Sequence, residues 1–192
     1  PSLENVTISN NTAYIGGGIS LWEDSNPSLE NVTITGNTAS SNGGGISCHA
    51  NSSPILVSCI LWNDLPQEVY LDGASFTATY SDIQGGWEGE GNIDADPLFC
   101  DAENGDYTLV SNSLCVDTGQ DGADMGAFGV GCEPPPPQIS ISPSSLDFEV
   151  NVDVDEDLEE SQALTISNIG GEVLEVILDA GSVTLSMNSG NN

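Results

Sequence analysis

Residues 1–26 read PSLENVTISNNTAYIGGGISLWEDSN, and residues 27–53 repeat them as PSLENVTITGNTASSNGGGISCHANSS. The two copies align Val6 with Val32 and Asn11 with Asn37. A unit of this length buries its apolar residues by stacking on neighbouring copies, because it has too few of them to form a core alone. The repeat therefore predicts an array of stacked coils.

Each unit is predicted to be a strand, a turn, a second strand and a second turn, because β-branched alternation and turn-forming residues outweigh any helical period. Glycine triplets at 16–18 and 43–45 allow positive φ and close backbone approach where the chain changes face. In the first strand of the second unit we expect an inward set, Leu29, Val32 and Ile34, and an outward set, Asn31, Thr33 and Thr35. In the second strand the expected inward pairs are Ile19 and Leu21, then Ile46 and Cys48.

Equivalent residues of successive coils are expected to lie about 4.8 Å apart. Asn5 over Asn31, and Asn11 over Asn37, are therefore predicted to form polar ladders. A third unit opens at Pro54 without a glycine triplet, and a glycine-rich loop follows at 85–91.

The pattern P-x-L-x-N-x-x-I-x-x-N followed by GGG(I/L) resembles the right-handed parallel β-helix of the pectate-lyase-like superfamily, in its non-catalytic surface-protein branch. The resemblance covers Pro1 to about Cys132 and implies an all-β fold. Its coils would occupy 1–91, and 92–132 would form a C-terminal cap region like that of the same surface proteins. Five residues are expected to cover the open last coil: Leu98, Phe99, Tyr107, Leu109 and Phe128.

Residues 133–138 contain four consecutive prolines and are predicted to be an extended linker. Residues 139–192 resemble an incomplete immunoglobulin-like β-sandwich of bacterial surface proteins, through the patterns at 141–148 and 164–170. Its expected strands are Ile139 to Ser142, Leu146 to Val154, Ala163 to Asn168 and Val173 to Leu178. The acidic run 153–160 is expected to be a solvated edge and loop.

The charge balance is extreme, with 30 acidic residues, no Lys or Arg, and one His. A net charge of −30 disfavours nucleic acid and anionic membrane as partners. We expect no ion pair in the chain, and we expect salt or divalent cations to relieve the self-repulsion. The chain lacks an 18-residue apolar run and starts within a repeat, so we expect a processed piece or an excerpt of a longer exported protein.

Five cysteines indicate an oxidising, extracellular compartment and leave at least one thiol unpaired within the chain. Cys48 and Cys59 are expected to be buried core thiols. Cys100, Cys115 and Cys132 lie where a bridge would close a loop at the end of the first domain, but the connectivity cannot be read from the sequence.

The resemblance to pectate lyases raises catalysis, for which enzymes of that fold use Arg or Lys beside a Ca²⁺ ion held by acids. This chain has neither residue. Carboxylate pairs such as Glu23 with Asp24, or Glu88 with Glu90, lie in predicted loops without other polar groups. His49 follows an inward-facing cysteine and is expected to be a surface residue. We therefore predict no enzymatic activity and assign no catalytic, cofactor-binding or metal residue.

An acidic cluster offers oxygen atoms to Ca²⁺, the one metal that the sequence brings into question, although turn capping explains the same residues. Its members are Asp94, Asp96, Asp101, Glu103, Asn104 and Asp106. Four asparagines begin an Asn-x-Ser/Thr triplet and are candidate glycosylation sites: Asn5, Asn10, Asn31 and Asn51.

These features predict a non-enzymatic structural or adhesive component of the bacterial or archaeal cell exterior. Uncapped β edges would let subunits join head to tail into a filament, or join other surface proteins or glycans. The alternative is a glycan-binding or glycan-cleaving β-helix that uses Trp22, Trp62 or Trp87 as sugar platforms.

Overall fold

The computed structural model describes residues 1–135, 139–142, 165–168, 174–179 and 182–187. The chain divides into two compact units, 1–133 and 134–192. The regular structure of the first unit consists of strands and two short 3-10 helices, Ala102–Asn104 and Gln120–Gly122. The strands are β1 (Ser2–Ser9), β2 (Thr12–Ile15), β3 (Ile19–Leu21), β4 (Ser28–Thr35), β5 (Thr38–Asn42), β6 (Ile46–His49), β7 (Ile55–Val57), β8 (Ile60–Trp62), β9 (Val69–Asp72), β10 (Thr77–Thr79), β11 (Asp82–Ile83), β12 (Phe99–Asp101), β13 (Asp106–Val110) and β14 (Val130–Cys132).

The strands up to β11 stack as the coils of a β-solenoid, forming three parallel sheets. The first sheet contains β1, β4, the pair β7 and β8, and the pair β10 and β11; the second contains β2 and β5; the third contains β3, β6 and β9. Val6 pairs with Val32 and Ile8 with Ile34, so the two N-terminal copies lie in the predicted register.

Each coil contains a left-handed residue in the first sheet, at the same position in every copy. Asn5, Asn31, Ser58 and Tyr80 have φ values of 55°, 51°, 51° and 50°. The irregular residue turns the side chains so that Leu29 and Val32, three positions apart, both reach the interior. Within the described residues the side chains of Asn5 and Asn31 form no hydrogen bond, so the prediction of a ladder between them is wrong. Their role is conformational, since asparagine tolerates the left-handed region.

The glycine triplets lie directly on one another, as their predicted role requires. Gly16 and Gly43 have positive φ, and a Cβ on Gly17 would lie 2.5 Å from the carbonyl oxygen of Gly44. A Cβ on Gly44 would in turn lie 2.3 Å from the backbone of Leu65. The coils approach so closely at this corner that no side chain fits between them.

The interior is a narrow aliphatic column, as predicted. Its buried members are Leu29, Val32, Ile34, Ile46, Cys48, Leu56, Cys59, Leu61, Phe76, Ala78 and Ile83. Thr33 and Thr35, which were expected to face solvent, are also buried. The reason is a second layer outside the first sheet.

Most of residues 92–132 form that layer by packing along the flank of the solenoid, whereas Ile93 pairs with Asp82 and so stacks on the last coil. The Asn10 side chain donates to the Tyr107 hydroxyl (2.9 Å), the Ala127 N–H to Thr33 Oγ1 (2.9 Å), and the Gly126 N–H to the Ser58 carbonyl (2.8 Å). The segment therefore contacts three successive coils.

A second apolar cluster fills the space beneath this flank segment. Ile60 points out of the solenoid and is buried with Leu109, Cys115 and Met125. Five residues were expected to cover the last coil. Leu109 and Tyr107 are buried in this lateral layer and Phe99 is partly buried against it, whereas Leu98 and Phe128 stay exposed.

The last coil is closed instead by the glycine-rich loop. Trp87 packs against the core and meets Phe76 edge to face, with ring centroids 4.8 Å apart. Glycines at 85 and 86, both with positive φ, let the loop turn back across the coil.

A disulfide joins Cys100 to Cys132 and so ties the start of the flank segment to its end. Cys48, Cys59 and Cys115 are buried and unpaired in the described part of the chain. Burial raises the pKa of the Cys48 thiol to about 11 and that of Cys59 to about 12, as expected for inert core thiols.

The second unit contains four described strands in two antiparallel pairs. β15 (Ile139–Ser142) pairs with β16 (Thr165–Asn168), and β17 (Leu174–Asp179) pairs with β18 (Ser182–Met187). The predicted strand at 146–154 and the acidic run at 153–160 lie outside the described residues, and the immunoglobulin-like sandwich stays a prediction. Nowhere in the described part of the chain does a helix have the length and apolarity needed to span a membrane.

Candidate functional site

A polar group lies on the outer face of the third sheet. Ser47 and His49 are two residues apart on β6 and therefore point to the same side, away from Ile46 and Cys48. His49 is only 5% exposed. The expectation of a surface histidine is wrong, because a side chain from the neighbouring coil covers the ring.

The two ring nitrogens of His49 both have polar partners. Nε2 lies 2.7 Å from Ser47 Oγ, and Nδ1 lies 3.4 Å from Asp72 Oδ2 on β9. Asp72 reaches the histidine because the two residues pair in register on adjacent coils. The contact would be an ion pair only with a charged imidazole, so the expectation that the chain has none stays a prediction.

Trp22 covers this histidine from the first coil. Its ring is stacked on the imidazole, with centroids 4.0 Å apart and planes 5° apart. The indole N–H donates to Ser20 Oγ (2.9 Å), and the Trp22 carbonyl accepts from Ser25 Oγ (2.5 Å). Trp22 is nonetheless 51% exposed. The ring is thus held in one orientation while much of its surface faces solvent.

The order Ser47, His49, Asp72 is that of a nucleophile, a base and an orienting acid. Ser47 has no exposed surface, however, and the Trp22 ring covers the imidazole. A nucleophile must reach the substrate carbonyl, so this arrangement is closed to substrate. Its observable effect is to fix the imidazole plane beneath Trp22.

A second polar group extends the asparagine ladder into the solenoid. The Asn11 N–H and side chain donate to Asn37 Oδ1 (3.0 Å each), which confirms the predicted pair. Asn37 donates through its backbone and side chain to Asp64 Oδ1 (2.6 and 2.9 Å), and the Asp64 N–H donates to Glu68 Oε1 (2.9 Å). The ladder therefore ends in two carboxyl groups.

These carboxyl groups are almost completely buried, with exposures of 3% for Asp64 and 7% for Glu68. Asp64 Oδ2 and Glu68 Oε2 have no hydrogen-bond donor among the described residues. Burial raises the pKa of Glu68 to about 9, with Asp64 as the next cause, and burial also raises the pKa of Asp64. The pair therefore holds a proton at neutral pH, since two bare charges are not stable in this interior.

The acidic cluster proposed for Ca²⁺ consists of separate turn caps. The Asp94 carboxylate accepts a hydrogen bond from the Gly85 N–H, and that of Asp96 accepts one from the Leu98 N–H. Asp101 accepts from the Asn104 side chain, and Asp106 accepts from the Thr108 N–H. In residues 1–135 no three His, Cys, Asp or Glu side chains are grouped to hold a metal ion.

The other two tryptophans considered as sugar platforms pack against apolar clusters of the protein. Trp62 is half-buried against the outer apolar cluster, and Trp87 lies against the core. Glu90 accepts from the Tyr80 hydroxyl (2.8 Å), whereas Glu23 and Asp24 are exposed at the corner after Trp22.

Sequence reasoning missed Ser47, Asp72, Asp64 and Glu68. Asp64 could have been found, because it follows Asn11 and Asn37 at the spacing of the repeat. Ser47 could also have been found, since strand alternation places it on the same face as His49. Asp72 and Glu68 carry no such signal, because the third coil is shorter than the first two.

Residues 1–93 match the family model described as a right handed beta helix region. No curated protein and no solved structure matched the chain. The family match and the stacked coils together support a right-handed β-helix fold for residues 1–93.

Proposed function

We propose that this chain is a non-enzymatic structural and adhesive component of a bacterial or archaeal cell exterior, and that its subunits join head to tail into a filament. The observation that carries the proposal is the β-solenoid itself, a column of stacked coils whose strands pair from one coil to the next. Among the described residues β1, β2 and β3 each pair on one side only. Leu3, Val6 and Ile8 are only partly buried at this edge. Such an edge is a template for further β pairing.

At the opposite end of the solenoid β9 and β10 also pair on one side only, but that end differs from the first because Trp87 and Phe76 pack over its core. The contact is therefore between unlike surfaces, which is the kind that propagates into a fibre. In the proposal, strands of the second unit of one subunit pair with the first coil of the next. The Cys100–Cys132 disulfide supports the extracellular setting.

Electron microscopy and sedimentation of the full chain at high concentration test the assembly. CaCl₂ and NaCl at equal ionic strength are compared, because a chain with net charge −30 needs counterions before subunits can approach. Fibres that lengthen with concentration are expected. Particles that stay monomeric in both salts would rule out head-to-tail assembly.

Chemical labelling of Ser47 tests the proposed non-enzymatic role. A fluorophosphonate probe, which labels activated serines, is expected to leave the folded chain unmodified because Ser47 is buried. Labelling that Ser47→Ala abolishes would show an active nucleophile and contradict the non-enzymatic role.

A further inference from the structure

We propose that the outer edge of β9 and the groove between Phe76 and Trp87 bind an extended segment of another protein, in which apolar and basic residues alternate. This site lies at the end of the solenoid formed by the last coil. The proposal goes beyond the structural role above, because it names a partner that differs from this chain, and it does not depend on filament formation.

The backbone of β9 has unpaired groups along one edge. The Asp72 carbonyl accepts a hydrogen bond from the Ala50 N–H (3.1 Å) on the preceding coil. Because the backbone groups of alternate strand residues point to opposite edges, Val69 and Leu71 direct their N–H and C=O groups away from that coil. In the described part of the chain β9 pairs with β6 alone, and no backbone hydrogen bond reaches this edge of Val69 or Leu71. The edge is therefore open to a further strand.

The neighbouring strand β10 is different, because the glycine-rich loop occupies its outer edge. The Asn92 side chain donates to the Ala78 carbonyl (2.9 Å), and the Tyr80 N–H donates to the Glu90 carbonyl (2.7 Å). The loop that closes the last coil thus satisfies β10 and leaves β9 free. A strand added to β9 would satisfy the remaining groups, with main-chain hydrogen bonds supplying affinity and alternate side chains supplying specificity.

Apolar surface at this end of the solenoid sets one half of the partner's pattern. Leu71 pairs in register with Cys48, which is fully buried, yet Leu71 itself is 36% exposed. An open groove of about 410 Å³ lies between Phe76 and Trp87. In a strand paired with β9, every second side chain would continue the interior column over Leu71, so these side chains are apolar.

Carboxylates set the other half of the pattern. The side chain of Asp72 is 69% exposed, Glu88 lines the groove, and Glu90 is exposed on the loop. A residue stacked on Asp72 lies about 4.8 Å from it, where Lys or Arg is attracted and Asp or Glu is repelled. The 192 residues contain no Lys or Arg, so no segment within them, and no second copy, supplies these charges. A second protein with a basic, alternating strand does.

Fluorescence anisotropy with a labelled peptide tests the site on the full chain at physiological ionic strength. The probe is Lys-Val-Lys-Val-Lys-Val-Lys, and its isomer Lys-Lys-Val-Val-Val-Lys-Lys has the same charge and composition without the alternation. We expect the alternating peptide to bind about tenfold more tightly or better, because only it pairs with β9 and places valines over Leu71. Equal affinities would show attraction to the net charge alone and overturn the proposal.

Variants of the chain locate the contact. Leu71→Pro removes the outward N–H and leaves the bonds to β6 in place, since proline is tolerated on the free edge of a strand. It is expected to weaken binding about tenfold, and circular dichroism checks that it stays folded. Glu88→Gln is expected to weaken binding about threefold, whereas Glu103→Gln, at an exposed turn of the flank segment, leaves binding unchanged. Equal effects of the two glutamine variants would contradict a contact at the groove.

Hydrogen exchange of the unmodified chain adds a readout that needs no variant. The Leu71 amide has no acceptor among the described residues, and the alternating peptide is expected to slow its exchange about tenfold or more. Peptide binding without protection of Leu71 would overturn the proposal. So would dimerisation of the chain without peptide that Leu71→Pro abolishes, because a second copy would then hold the edge. Filament formation is read by microscopy without peptide, so its failure is distinguishable from failure here.

Discussion

Asn5, Asn31, Ser58 and Tyr80 share a left-handed backbone, although their side chains have little chemistry in common. The position is therefore selected by the path of the chain and not by side-chain stacking. At Asn11 and Asn37 the opposite holds, because the side chains themselves bond successive coils. Two asparagines of one repeat thus serve different physical purposes.

The close approach at the glycine corner predicts a large effect of one methyl group. Gly44→Ala places a Cβ 2.3 Å from the Leu65 backbone, which cannot move aside as a side chain can. We expect the free energy of unfolding to fall by about 1–3 kcal/mol or more, measured by urea denaturation.

The matched control for Gly44 is Gly129→Ala, whose closest neighbour is the side-chain carboxylate of Asp124. That group can rotate away, so the change should be small. Equal losses for the two variants would contradict an explanation based on backbone contact.

The asparagine ladder predicts a larger loss of folding stability for a substitution at its buried part than for one at its exposed end. Asn37→Ala removes the acceptor of Asn11 and, at a fully buried position, the side-chain donor to Asp64 and to the Ile8 carbonyl. We expect a loss of about 3 kcal/mol, against about 1 kcal/mol for Asn11→Ala at the exposed end of the ladder. Thermal and urea unfolding measure both, and an equal effect of the two variants would show that the ladder does not depend on burial.

Among the elements, the flank segment 92–132 departs most from expectation. Its motifs predict a cap over the last coil, and Ile93 does pair with that coil, but the buried residues Leu109, Cys115 and Met125 cover the outer face of the first sheet. The glycine-rich loop closes the coil with Trp87. The pattern of apolar residues fits a cap over the last coil and a layer on the first sheet equally well. Only tertiary contacts, such as the hydrogen bond from the Ala127 N–H to Thr33, distinguish the two arrangements.

This lateral packing predicts which apolar residues of the segment matter. Leu109→Ala leaves a cavity beneath a fully buried position and should cost about 2–5 kcal/mol. Leu98→Ala, at an exposed position, should cost well under that. Thermal unfolding of the two variants decides the matter, and a larger effect at Leu98 would favour the cap over the last coil.

At the scale of the whole molecule, a highly acidic surface encloses carboxyl groups that are themselves buried. Burial raises the pKa of Asp82 to about 6, in addition to the elevated pKa of Glu68. In the folded state these groups retain protons that the unfolded chain loses at lower pH. Lowering the pH from about 9 to about 5 therefore stabilises the folded state, because the folded chain binds more protons than the unfolded chain in this range.

The pH dependence of stability follows from Glu68. Its pKa rises from 4.5 to about 9 on folding, so its contribution is fully present below pH 4.5 and is lost as the pH rises towards 9. We expect the thermal midpoint to be lower at pH 9 than at pH 5 by roughly 5 °C or more.

Glu68→Gln is the control for this dependence, because glutamine keeps a hydrogen-bond donor and acceptor beside Asp64 but does not titrate. The variant should reduce the slope most between pH 7 and pH 9, above the range in which Asp82 titrates. An unchanged slope would assign the effect to surface repulsion instead of to the buried pair.

The repeat of Val6 and Val32, Asn11 and Asn37, and the two glycine triplets was enough to determine the solenoid, its register and its aliphatic core. These features depend on contacts between copies of one unit, and the spacing of the copies is written in the sequence. The tertiary structure alone decided that residues 92–132 pack on the flank, that His49 lies beneath Trp22, and that Glu68 shares the interior with Asp64. Those contacts join residues from different elements or from coils of unequal length, for which the sequence carries no common period.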